Sequence, residues 1–169
     1  VVAQGVEARD RQAMRHEDIT DPLRSLAFDF FFYFSKFEFA LKAAGYLKSD
    51  KPKAAAQPGW ERYTKAFEAQ YVLSAHGQAL IDAQPQKQVV GASQDLVFSP
   101  VTFDAGASDL EKVTVLAKTV RNNLFHGGKH GVEGWDDPKR TEHLLKVARA
   151  ALDDLAVQTE LQADYTGHY

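Results

Sequence analysis

Three side chains near residue 120 are of the types that phosphate chemistry uses. In TVRNNLFHGGKH, residues 119–130, Arg121 and His126 sit five positions apart, with Asn122 beside the arginine. A guanidinium presents a planar fork of donors that matches phosphate oxygens and keeps its charge. An imidazole moves a proton near neutral pH. An asparagine amide can orient that imidazole or donate to an oxyanion. The geometry is less obliging. Residues five apart on an ideal helix point about 140° apart, whereas Asn122 and His126, four apart, differ by only about 40°. Asn122 and His126 therefore share a face. Arg121 must reach around the helix, or the last turn must loosen at Gly127-Gly128. The helix dipole favours a protonated His126 at a C-terminal end, which suits a general acid or a cationic partner for phosphate. A helix end with a cap and surface ion pairs fits the same residue types.

Other polar residues extend the candidate set. Glu38 interrupts an aromatic run, where it can pair with Lys42 one turn on or support Arg121 and His126. Lys129, His130, Lys139 and Arg140 follow the motif and could line an RNA path, although Glu133, Asp136, Asp137 and Glu142 balance their charge. His126 and His130 have the spacing of helical zinc ligands, but two glycines intervene and no HExxH glutamate is present, so no metal is expected. HGGKHG is not a nucleotide-binding loop: no strand precedes it and no Ser or Thr follows Gly128-Lys129. No cofactor is expected.

The elements that position these groups read as helices. Asp21-Pro22 has the form of a cap with proline in the first turn. Beyond it Leu23, Leu26, Phe30, Phe34, Phe37, Leu41 and Ala44 recur at spacings of three and four. Phe28, Phe31, Phe32, Tyr33 and Phe39 cover the other faces, and seven of the chain's 11 phenylalanines lie between 28 and 39. Such a helix is either the centre of the core or part of a subunit interface. A second helix is expected from Trp60 towards Ile81, with Gly77 as a break. Residues 84–107 hold β-formers between prolines and glycines and read as an extended insertion with room for a small hairpin. Ser108 or Asp109 caps a third helix with the stripe Leu110, Val113, Ala117, Val120 and Leu124, stopped by Gly127-Gly128. Asp137-Pro138 opens a fourth, with Leu144, Leu145, Ala148, Ala151, Leu152 and Leu155 inward. Residues 1–18 read as a polar arm and the tail after Leu161 as frayed. The expected fold is all-α: one domain, an up-down bundle of four main helices with an irregular crossover between the second and third.

Bulk properties narrow the setting. The 169 residues suit one domain, and its core needs no disulfide or metal. The absence of cysteine removes disulfides, thiolate zinc sites and a cysteine nucleophile. A formal charge of −3 argues against a generic nucleic-acid coat, so any RNA contact must be local. No segment approaches the roughly 20 apolar residues of a membrane span, and residues 1–19 lack the apolar stretch of a signal peptide. A cytoplasmic protein with no membrane partner is expected.

RNNLFH resembles the Arg–polar–x3–His signature of the HEPN superfamily. Its setting late in the third main helix, the glycine stop and FFYFSKFEFALKAAGY (residues 31–46) are similar to one little-characterised bacterial branch of that superfamily. The resemblance covers the two helices expected at the heart of the fold. It implies a helical bundle that pairs into a homodimer, with the signature helices facing one cleft. It also implies a metal-independent endoribonuclease. Arg121 would then stabilise the scissile phosphate, His126 would move the proton as the RNA 2′-hydroxyl attacks, and Asn122 would position one of them. Two copies in one cleft would also resolve the angular mismatch, because the partner's arginine would complete the site. Many such proteins are toxins or phage-defence ribonucleases held by an antitoxin. Others are non-catalytic modules that bind RNA, nucleotide or a protein partner.

Overall fold

The structure, a computed structural model, describes residues 16–125 and 137–167. The described chain is mostly helical. After a short 3-10 turn at His16–Asp18, the order is α1 (Asp21–Ala43), α2 (Trp60–Phe67), α3 (Ala75–Ala83), β1 (Gln86–Val90), β2 (Leu96–Pro100), α4 (Asp109–Phe125), α5 (Pro138–Gln158) and α6 (Gln162–Thr166). Helix α5 packs against α1, α3 and α4, while α6 closes on α1 and α5 and α2 rests on α4.

The caps follow local chemistry. Thr20, one residue before the expected Asp21, caps α1 by accepting from the Leu23 N–H, and Asp21 pairs with Arg24 at 2.8 Å. The end of α1 is left-handed at Gly45, with φ of +87°. Ser108 Oγ accepts from the Glu111 N–H at 3.1 Å to start α4. Asp137 accepts from the N–H groups of Lys139 and Arg140 to start α5, with Pro138 in its first turn. The insertion at 84–107 holds the hairpin: β1 and β2 pair antiparallel from Gln86↔Pro100 to Val90↔Leu96.

The core gathers Phe30, Phe34, Phe37 and Leu41 of α1 against Leu110, Val113, Leu116, Ala117 and Val120 of α4 and Leu144, Leu145, Ala148, Ala151, Leu152 and Leu155 of α5. Helix α1 is buried along one side only. Phe28 is 62% exposed, and Phe31, Phe32 and Phe39 are exposed as well.

The simple four-helix bundle is corrected at two places. The second expected helix is two, because the chain leaves the helix after Phe67 and restarts at Ser74, whose Oγ accepts from the Gly77 N–H at 3.0 Å. Gly77 sits inside α3 rather than breaking it. A Cβ there would come within 2.9 Å of Leu73 Cδ1 and Tyr71 Oη, so glycine lets the connecting loop press onto the helix. As far as Gly167 the tail is not frayed either. Helix α6 buries Tyr165 to 2% exposure, and its hydroxyl donates to Asp153 at 2.7 Å and accepts from Arg149 at 2.9 Å. Tyr33 and Phe37 of α1 lie against the same ring. Residues 1–15 of the expected arm and the Gly127-Gly128 stop lie outside the described residues.

Candidate functional site

Arg121 emerges from the last full turn of α4 towards α1. Its guanidinium carbon lies 5.7 Å from the Phe34 ring centre and 5.6 Å from that of Phe125. Nη1 donates to Asn122 Oδ1 at 3.0 Å. Asn122 thus steadies the arginine as its immediate neighbour. Among the described residues no carboxylate forms an ion pair with Arg121. Stacking on ring faces holds the guanidinium, and among the described residues only Asn122 accepts from it.

Arg121 borders a recess of about 120 Å³ together with Phe31, Phe34, Ser35, Glu38 and Phe125. Phe31 and Phe125 touch across its rim, ring centres 5.2 Å apart. Its size suits a single phosphate group and falls well short of the roughly 300 Å³ at which small-molecule pockets begin.

Glu38 joins this recess from the α1 side. Its Oε1 accepts from Trp60 Nε1 at 3.2 Å, and Trp60 stacks on Phe37. The carboxylate is therefore tethered by an indole and held beside Arg121 without an ion pair to it. Among the described residues, the alternative pairing with Lys42 is not made.

One cation here was not singled out from the sequence. Lys118 lies one turn before Arg121, with Nζ 5.7 Å from the Trp60 ring centre. Burial holds its ammonium below the usual lysine range, and Glu61 and Glu38 offset part of that cost. The spacing of 118, 121 and 125 would reveal the shared face only to a reader who already knew which side of α4 turns to α1.

The other expected groups are placed apart from the recess or lie outside the description. Arg140 Nη2 donates to the Ala83 and Gln84 carbonyls at 3.1 and 3.3 Å, where it closes the C-terminal end of α3. Lys139 is exposed in the first turn of α5. His126, Lys129 and His130 lie outside the described residues. Asn123, the motif's second asparagine, is buried and donates to the Gln86 carbonyl at 2.7 Å, pinning β1 to α4. No group of three or more His, Asp or Glu side chains that could hold a metal occurs among the described residues. No helix among them is long and apolar enough to cross a membrane.

Comparison with known proteins adds no relative: no family model matches the chain, and neither a curated protein nor a solved structure does.

Proposed function

We propose that this protein is a metal-independent endoribonuclease of HEPN type, acting at a site shared by two copies. The observation that carries this reading is the state of Arg121. It is a fixed guanidinium on two aromatic faces, without a carboxylate partner among the described residues, at the mouth of a recess the size of one phosphate. A structural arginine is normally satisfied; one held rigid with open donors is ready for an anion.

In this reading Arg121 binds the non-bridging oxygens of the scissile phosphate and stabilises the charge that builds on them. His126 stands five positions further along the sequence, at the spacing of the signature. It takes the proton from the 2′-hydroxyl as that oxygen attacks phosphorus. The bond to the 5′ oxygen breaks, and the partner's His126 returns a proton to it. The products are a 2′,3′-cyclic phosphate and a 5′-hydroxyl. Asn122 fixes the guanidinium, and Glu38 shapes the field beside it. No metal is required, because charge neutralisation falls to the arginine.

The test is RNA cleavage in excess EDTA by the wild type, Arg121→Ala and His126→Ala. Cleavage by the wild type alone supports the enzyme. RNA bound by the wild type but left intact favours a non-catalytic binding module. Folded variants that cut as fast as wild type would remove the motif from the chemistry.

A further inference from the structure

Lys118 and Arg121 are three residues apart on α4, so they share a face, with Cβ atoms about 5–6 Å apart. Each lies on a ring. Lys118 Nζ is 5.7 Å from the Trp60 ring centre, and the Arg121 guanidinium carbon is 5.7 Å from that of Phe34. The two rings are neighbours, with centres 5.6 Å apart. Glu38 links them to the recess, since its Oε1 accepts from the Trp60 indole and it lines the space beside Arg121. Lys118 is partly buried, and among the described residues no carboxylate forms an ion pair with it and no acceptor takes a hydrogen bond from it. Glu38 and Glu61 act on it only through their field, which offsets part of the cost of burying the charge. A lysine that merely covers a core carries its ammonium out to water. This one keeps its charge half out of water, over an indole.

We infer that Lys118 forms a second phosphate subsite, which takes the backbone phosphate one nucleotide away from the one bound at Arg121. The inference rests on the ribonuclease reading above for the identity of the strand, and it adds a contact that reading does not use. The recess of about 120 Å³ has room for one phosphate, so the next must be held outside it. Lys118 stands one turn back along the same helix face, and a nucleic-acid strand repeats its phosphates at short, regular steps. The two cations suit two tasks. The planar fork of Arg121 fixes one phosphate in orientation, while the ammonium of Lys118 attracts the other as a point charge. Glu38 is tied to the indole and Glu61 is exposed to water, so neither fills the place beside Lys118. A strand with its scissile phosphate in the recess then runs back along α4, past Trp60, towards the start of the helix. On a chain of net charge −3, such a pair concentrates positive charge where the strand must pass.

The test uses short RNA oligonucleotides with one free 2′-hydroxyl, all others being 2′-O-methylated, so that a single phosphate is scissile. In two derivatives a neutral methylphosphonate replaces the phosphate next to it, on the 5′ or on the 3′ side. All assays contain EDTA. For the wild type, one of the two replacements should raise KM about tenfold, with kcat within about twofold. Lys118→Met should raise KM by a similar factor on the all-phosphate oligonucleotide and feel no further penalty from that replacement, as a direct contact requires. Lys118→Arg should keep the penalty. Binding is read separately on fully 2′-O-methylated RNA, which cannot be cut. There the slope of log Kd against log salt should fall by about 0.7 in Lys118→Met, the value of one phosphate contact on a single strand. Circular dichroism checks that the variant keeps its helicity, and Lys118→Gln, which retains a polar head, repeats both measurements. The inference is overturned if the methylphosphonate penalty is the same in Lys118→Met as in wild type, or if the salt slope does not change. It is also overturned if Lys118→Met loses kcat equally on all three substrates with KM unchanged, the mark of a purely structural lysine. A changed salt slope in a wild-type background that binds but never cuts supports the second subsite and sinks only the ribonuclease reading. No RNA binding by the wild type overturns both.

Discussion

Two arginines rest on aromatic rings at opposite flanks of α1, and their surroundings differ in one respect. Arg149 lies with its guanidinium carbon 3.4 Å from the Tyr33 ring centre, pairs with Asp153 and donates to the Tyr165 hydroxyl. Arg121 lies on Phe34 and Phe125 and donates to a neighbouring amide. The first has a carboxylate, a hydroxyl and a ring, and it joins α5 to α6 and α1. The second has, among the described residues, rings and one neutral acceptor. The same chemistry thus serves as a fastener where its donors are spent and as a candidate anion site where no described carboxylate takes them. A cleft of about 460 Å³ also borders Arg149, with Leu26, Asp29, Tyr33 and Asp153 in its walls. Size alone would rank it above the Arg121 recess, but its arginine is already neutralised.

The sharpest break of this comparison is to truncate each arginine in turn. Arg121→Ala should lower EDTA-resistant cleavage by about 10²–10³-fold, the range for removing one stabilising donor of a developing oxyanion. Its stability should fall by no more than about 1 kcal/mol, the worth of a partly exposed cation–π contact. Arg149→Ala should do the reverse. Thermal or urea unfolding should show a loss of about 2 kcal/mol, because Asp153 and the buried Tyr165 hydroxyl both lose a charged partner. Cleavage per folded molecule should match wild type. If both variants lose stability alike and neither loses turnover, the distinction between them is void.

A milder substitution tests the stacking itself. Arg121→Lys keeps the charge but not the planar fork, and lysine makes a poorer bidentate phosphate ligand. Cleavage should fall by about tenfold, less than for alanine, with the loss mainly in kcat. A variant as active as wild type would mean that only the charge matters.

How much of this could be read from the chain depends on the range of the interactions. The inward stripes of α4 and α5 were legible because each is periodic within one helix: Leu110 to Val120 and Leu144 to Leu155 are buried as their spacing requires. The hairpin was legible from β-formers between prolines and glycines. Two failures share a cause. Tyr165 sits in a polar tail, and its burial depends on Arg149 and Asp153, which read on their own as a surface ion pair four residues apart. The division of α2 from α3 turns on Ser74 capping a glycine that looks like a breaker. The site divides the same way. Its arginine and asparagine were visible as types, and Glu38 stood out as a lone charge among phenylalanines. That an indole holds the Glu38 carboxylate, and that Lys118 lies over the same indole, depends on α2 folding back beside α1 and α4. Local spacing carries no trace of that fold-back.

The smallest expected effect concerns pH on the Arg149 side. Burial raises the Tyr165 hydroxyl pKa first of all, its hydrogen bond to Asp153 raises it further, and Arg149 opposes the shift. Burial likewise raises Tyr63, against the pull of its hydrogen bond with Thr159. Each folded-state pKa lies above the usual 10.0. The stabilisation from keeping these hydroxyls neutral is therefore complete below pH 10 and is lost as pH rises beyond it, when the unfolded chain releases protons that the folded one keeps. Lys118 acts in the opposite direction, because its depressed folded-state pKa makes the fold gain stability as pH climbs towards 10.5. Comparing wild type with Tyr165→Phe cancels Lys118, which both proteins share. At pH 7 the variant should be less stable by about 1 kcal/mol, the net value of its hydrogen bonds. Above pH 10 the gap should close, since a phenylalanine has no proton to lose and one ionising group is worth about 1.4 kcal/mol per pH unit. Urea midpoints from pH 7 to 11 would check it. Parallel curves for the two proteins would show that Tyr165 titrates alike in both states, and that α6 does not hold it as closely as the Arg149 cluster requires.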